Sequence, residues 1–71
     1  MKNKLKIARI AAGLSQDDLG KRIGYTRVTI SNIETGKSIP SGQTMLKIAK
    51  AIGIPVEEIF FINSVNQDWH K

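Results

Sequence analysis

Between Arg27 and Asn32 the chain reads Arg-Val-Thr-Ile-Ser-Asn. Ile30 here, with Ile33 just beyond, supplies an inward apolar pair. The residues left over form the informative set. Arg27, Val28 and Ser31 share one helix face at i, i+1, i+4, with Thr29 and Asn32 at its flanks. An arginine forks onto guanine O6 and N7, an asparagine pairs with adenine N6 and N7, and a valine packs on a thymine methyl. The hydroxyls of Thr26, Thr29 and Ser31 are placed to reach phosphate oxygens. A helix face meant only for water more often carries Glu and Lys. This one carries no acid, as suits a surface facing phosphates. The chemistry on offer is readout of a duplex groove. Catalysis has little to work with: the chain has no cysteine, its one histidine is His70, and Asp17-Asp18 and Glu57-Glu58 lie at helix starts, where the helix dipole accounts for them. No cofactor or metal is expected, and no enzyme.

Such a face needs a rigid helix beneath it. The 20-residue stretch from Gln16 to Thr35 has apolar residues at Leu19, Ile23, Tyr25, Ile30 and Ile33, a small residue at Gly20 and a glycine at Gly24. Two helices that cross closely need a small residue at the contact, and the turn between them needs a residue at positive φ. Gly20 and Gly24 answer those needs; glycine-ended helices alone also fit any tight helical hairpin, and it is the full apolar pattern together with the residue types outside the stripe that reads as a helix-turn-helix. Ser15 caps the first of these helices, with Asp18 at capping-box spacing, and Thr26 caps the second. Lys2 to Ala12 reads as a preceding helix with a stripe of Leu5, Ala8 and Ala12, ended by Gly13. Ser41 caps a fourth helix with a stripe of Met45, Ile48, Ala49 and Ile52, ended by Gly53. Pro55 opens a short fifth helix through Phe60. Residues 61–71 show no helical period and read as a tail or short strand. The fold class is all-α, a compact five-helix domain over residues 1–60 with a C-terminal tail over 61–71.

Seventy-one residues make one small domain whose core must be plain apolar packing, helped by a partner. Hydrophobic residues are 41% and charged residues 24%, ordinary for a soluble globular chain. No apolar run approaches the ~20 residues of a bilayer span, and no signal-peptide core is present. A cytoplasmic location and no membrane partner are expected. The net charge is +5, distributed unevenly: residues 1–53 hold ten basic and three acidic side chains, residues 54–71 one basic and three acidic. A basic body with a mildly acidic tail suits a polyanion, although charge alone is equally consistent with a lysine-rich solvated surface.

The run Gly13-Leu14-Ser15-Gln16, then Leu19, Gly24, Thr26-Arg27, Ile30-Ser31, Ile33-Glu34 and Gly36-Lys37, resembles the Cro/Xre family of phage-repressor-like helix-turn-helix regulators over about residues 3–60. The run from Leu46 to Gly53 resembles that family's fourth helix. The resemblance implies base-reading side chains at Arg27, Val28 and Asn32, to which the face analysis adds Ser31. It implies a DNA-backbone contact from Gln16, and a loop at Thr35, Gly36 and Lys37 that holds a phosphate through backbone N–H groups and the lysine. Thr26 and Thr29 join the backbone set through their hydroxyls. The resemblance also implies a buried ion pair between Arg9 and Glu34. The residues agree: Arg9 borders the Leu5, Ala8, Ala12 stripe, and Glu34 is the only acid between residues 19 and 56.

Departures from the family pattern carry expectations of their own. Gly20 stands where alanine is usual and is expected to loosen its helix. Tyr25 stands where a small aliphatic is usual; its hydroxyl either reaches the DNA backbone or the ring covers the turn, the second being favoured. Thr35 replaces a common asparagine, and Val28 lowers the number of hydrogen bonds for readout. Ile7 and Ile10 lie opposite Leu5 and read as exposed, either singly or as a contact surface. Phe60, Phe61, Ile62, Val65 and Trp69 are the most aromatic stretch. They read as closing the core, as a dimer surface (Phe60, Phe61, Val65, Trp69), or as a tail folded over Ile7 and Ile10.

The leading function is a sequence-specific double-stranded DNA-binding transcriptional regulator, a repressor acting as a homodimer on a palindromic operator. One recognition helix reads only about 3–5 base pairs, and two-fold pairing doubles that reach with half-sites roughly 34 Å apart. The chain leaves no room for a ligand-sensing domain, so no small-molecule effector is expected. The alternative is an antitoxin-type protein, which would bind DNA and also a toxin through its tail, or an adaptor acting mainly through protein contacts; the acid-free face of Arg27 to Asn32 argues against the adaptor.

Overall fold

The computed structural model describes residues 2–60. Within them lie α1 (Leu5–Ala11), α2 (Gln16–Ile23), α3 (Arg27–Glu34), α4 (Gly42–Ile52) and α5 (Val56–Phe60), with no strand. The tail readings at Phe61, Ile62, Val65 and Trp69 fall outside the described residues.

Local side-chain chemistry sets most boundaries. The Ser15 hydroxyl accepts the Asp18 N–H at 2.9 Å and the Asp18 carboxylate accepts the Ser15 N–H at 2.9 Å, so both halves of a capping box start α2. Thr26 accepts the Thr29 N–H to start α3, and Ser41 accepts the Thr44 N–H to start α4. Gly24 ends α2 at φ +81°, a left-handed conformation that any Cβ would strain, and this residue turns the chain toward α3.

α1 differs from expectation. It begins at Leu5, not Lys2, because Asn3 and Lys4 are held elsewhere. Asn3 Oδ1 accepts the Leu5 N–H at 2.9 Å while its Nδ2 donates to the Ile33 carbonyl at 2.9 Å, and the Lys4 N–H donates to the Ile59 carbonyl at 2.9 Å. The start of the chain is thus stitched to the ends of α3 and α5. Ala12, expected in the α1 stripe, is exposed because the helix has already ended; Arg9 takes the inward place.

α2 packs on α3 and α4, α4 on α5, and α1 closes against α3 and α5. Leu5, Leu19, Ile30, Ile48 and Ile59 are fully buried where these helices meet, each contributing about 1.5–3 kcal/mol by leaving water. Ile33, Met45, Ala49 and Phe60 complete the core. Phe60 therefore belongs to the core and is not part of a dimer surface: at 4% exposure it has no side-chain area to offer a partner. Ile7 and Ile10 are 67% and 58% exposed.

Gly20 has a cause that the helix-crossing argument did not supply. A Cβ there would land on the Tyr25 carbonyl oxygen, with the Tyr25 carbonyl carbon at 3.3 Å. The close approach is to the backbone of the turn. The Tyr25 N–H donates back to the Gly20 carbonyl at 2.8 Å, pinning the turn against the glycine.

Candidate nucleic-acid interface

α3 presents its outer face to solvent because its inner face is fixed. Ile30 and Ile33 are buried, and the residues between and before them point away. Arg27 and Val28 are exposed, Val28 to 63%. Thr29, Ser31 and Asn32 are half-buried at the flanks. No acidic side chain lies on this face, since the one acid of α3, Glu34, turns inward.

The Arg9 guanidinium meets Glu34 beneath α3. Arg9 Nε donates to Glu34 Oε2 at 2.5 Å and Nη2 to Oε1 at 3.3 Å, with side-chain exposures of 9% and 3%. Arg9 Nη1 donates to the Leu14 carbonyl at 2.8 Å. A desolvated guanidinium and carboxylate are tolerated only when their other hydrogen-bonding sites are also filled, and here they are. The last donor is a residue for which the family resemblance implies a DNA-backbone contact: Gln16 Nε2 donates to Glu34 Oε1 at 3.0 Å. Gln16 sits at the first position of α2, half-buried, one amide hydrogen anchored and its other polar sites free.

Two assigned groups are engaged internally. Thr26 and Thr29 share a hydroxyl–hydroxyl hydrogen bond at 3.1 Å, so a phosphate has to compete with the α3 cap for them. The loop after α3 also departs from expectation. The Thr35 N–H donates to the Ser31 carbonyl at 3.0 Å and the Gly36 N–H to the Ile33 carbonyl at 3.2 Å. The Thr35 hydroxyl donates to the carbonyls of Ser31 and Asn32 at 3.0 and 3.3 Å. These donors satisfy the last turn of the helix, so they do not form an open N–H cradle for a phosphate. Lys37 is exposed and makes no ion pair among the described residues, leaving it as the cation of the loop. The Ser38 N–H, donated to the Asn32 carbonyl at 3.1 Å, folds the loop back beside α3.

Tyr25 is half-buried against the core, and its hydroxyl meets Thr44 Oγ1 at 2.7 Å. It covers the turn and is not extended toward a ligand. Sequence reasoning did not find Thr44 or the role of Gln16 toward Glu34, because both partners are many residues away.

The arrangement is an exposed helix face, which suits a groove rather than a small molecule. A cleft of about 500 Å³ between α2 and α4, lined by Arg22, Ile23, Lys47, Lys50 and Ala51, includes none of the assigned residues. Among the described residues no group of acidic or imidazole side chains is arranged to hold a metal. Among the described residues no helix is long and apolar enough to cross a membrane.

The pattern that defines the helix-turn-helix family matches residues 5–59. An uncharacterised helix-turn-helix-type transcriptional regulator of Methanocaldococcus jannaschii is 50% identical over 60 residues, covering 84% of this chain and 91% of that one. The restriction-modification controller protein C.AhdI of Aeromonas hydrophila superposes with a TM-score of 0.73 at 34% identity, over 78% of this chain and 83% of the other. The P22 c2 repressor, solved with a synthetic operator, superposes with a TM-score of 0.69 at 28% identity, over 75% and 80%.

Proposed function

This chain belongs to the Cro/Xre-type helix-turn-helix family of DNA-binding transcriptional regulators, and from that membership we propose that it is a repressor that binds a palindromic operator as a homodimer. Arg27, Val28, Ser31 and Asn32 read base edges in the major groove. Gln16, Thr26, Thr29 and Lys37 hold the phosphates that fix the register. The observation that carries this reading is the outer face of α3: exposed, free of acids, and held rigid by Ile30, Ile33 and the Arg9–Glu34 pair beneath it. A further support is the P22 c2 repressor, a similar domain solved on an operator.

Pairing of two copies follows from the shortness of one reading helix, which spans too few base pairs to single out a site. Repression follows from occupancy: a bound dimer excludes other proteins from the same stretch of duplex. Selection of bound sites from random duplexes tests the reading. The expected product is an inverted repeat with half-sites roughly one helical turn, about 34 Å, apart. Sedimentation of the complex should give two chains per site. A selected population with no enriched sequence, or one with a single asymmetric half-site bound by one chain, overturns it.

A further inference from the structure

Tyr25 and Thr44 stand at the two ends of one segment. Between them lie α3, the loop after it and the cap of α4, and with them every residue assigned to DNA contact except Gln16. Tyr25 Oη and Thr44 Oγ1 share a hydrogen bond at 2.7 Å across 19 residues of sequence. Thr44 is buried at 8% exposure and is itself held in place: Ser41 Oγ donates to Thr44 Oγ1 at 3.1 Å and accepts the Thr44 N–H at 3.2 Å. On the other side, the Tyr25 N–H is fixed to the Gly20 carbonyl at 2.8 Å. The hydroxyl pair therefore joins two anchored points, the turn after α2 and the cap of α4.

The far end of α3 has its own polar ties in Asn3 to the Ile33 carbonyl, Arg9 to Glu34, and the Ser38 N–H to the Asn32 carbonyl. At the near end, the Tyr25–Thr44 bond is the polar side-chain tie from the turn to α4. Resting on the DNA-binding reading above, we infer that Tyr25 and Thr44 form a clasp that closes the reading segment and pre-sets the recognition helix and its loop in the DNA-bound geometry. Tyr25 is a positioning residue in this scheme: it acts through Thr44 and does not touch DNA. A segment ordered before binding loses less freedom on binding, so the clasp adds affinity without adding a contact. Because it holds the segment as a whole and touches no base, it raises affinity for all duplexes alike and leaves discrimination unchanged.

The experiment compares the full chain with Tyr25→Phe, Thr44→Val and the double variant, each checked for native helicity by circular dichroism. Kd is measured at a temperature well below every Tm, on the selected duplex and on one carrying a single base-pair change. One lost hydrogen bond of ordinary strength weakens binding about two- to tenfold. The expected result is that loss for each single variant, equal on both duplexes, with the double variant no weaker than either single. Three results overturn the clasp. A lowered Tm with unchanged Kd makes the bond purely structural. A loss in Tyr25→Phe without one in Thr44→Val puts the hydroxyl on the DNA itself. Additive losses mean that the two groups act separately. If the unaltered chain shows no preference between the duplexes, the functional reading fails first and the clasp with it. If the unaltered chain discriminates and the variants match it, the clasp alone fails.

Discussion

Replacing Arg9 with leucine leaves the Glu34 carboxylate, 3% exposed, with the Gln16 amide as its remaining donor. The lost partners are the two charge-assisted bonds from Nε and Nη2, and the Leu14 carbonyl loses its bond from Nη1. Breaking a buried pair from one side costs about 3–5 kcal/mol, chiefly because the surviving charge stays desolvated. A chain of this length has a total stability of roughly 4–11 kcal/mol, so the variant loses from about a quarter of it to all of it. At about 4–8 °C per kcal/mol for a domain of this size, the melting point should fall by roughly 12–40 °C. The double variant Arg9→Met with Glu34→Leu removes both charges and fills the space with apolar atoms, which is often neutral or favourable. It should recover most of the loss. Urea and thermal melts of the free chain followed by circular dichroism measure both. A single variant that melts within about 4 °C of the parent would refute the reasoning, since it would mean that Glu34 reaches water after all. A double variant as unstable as the single would locate the cost in the Leu14 and Gln16 bonds.

Three further outcomes follow from the geometry. Gly20→Ala gains about 1 kcal/mol of helix propensity but drives a Cβ into the Tyr25 carbonyl, an overpacking that costs about 1–3 kcal/mol; the net change should be destabilising, and a raised urea midpoint would contradict the close approach. The Asp18 carboxyl is held below the usual carboxylate range by the Ser15 N–H first and the Ser15 side chain second. The unfolded chain then binds the proton more tightly, so this contribution is complete above the unfolded value of about 3.9 and is lost as pH falls through the lower folded value. The gap in stability between the parent and Asp18→Asn should close over that window, and a gap unchanged into strong acid would refute the capping account. At the interface, Arg27→Ala or Asn32→Ala should cost about 1–3 kcal/mol on the matched duplex and relax selection at one base position. Lys37→Ala should instead weaken binding to every duplex and reduce the salt slope by about one; an unaltered salt slope would remove Lys37 from the phosphate set.

How much of this was legible in the sequence depends on how far apart the partners lie. Ser15, Thr26 and Ser41 each cap the helix that follows within three residues, so residue type and position were sufficient. Ile30 and Ile33 of α3 and Met45, Ile48 and Ala49 of α4 follow from helical spacing, whereas Thr44, buried beside them, does not. The start of α1 did not, because Asn3 and Lys4 are engaged by Ile33 and Ile59 far along the chain, and periodicity carries no record of such pairings. Gly20 was read correctly as a site of close approach, but its neighbour is the backbone of Tyr25, which no pattern of side-chain types reveals. The loop at Thr35 and Gly36 was read as donating N–H groups outward. Those groups close the last turn of α3, a local preference that resemblance to a family does not display.

The placement of Glu34 joins the two halves of the account. In the proposed reading α3 is the helix that approaches phosphates, and an acid on its outer face would repel them by roughly 1 kcal/mol per close pair in water. The chain carries one acid on that helix and turns it inward, where the Arg9 guanidinium neutralises it and its oxygens also receive the Gln16 amide. A domain this small has little interior in which to hide a charge, so the buried pair lies directly under the reading face. Fold stability and interface electrostatics thus rest on the same carboxylate. On the proposed reading a substitution at Glu34 acts on both at once, whereas Arg27 and Lys37, exposed and in no ion pair among the described residues, act on binding alone.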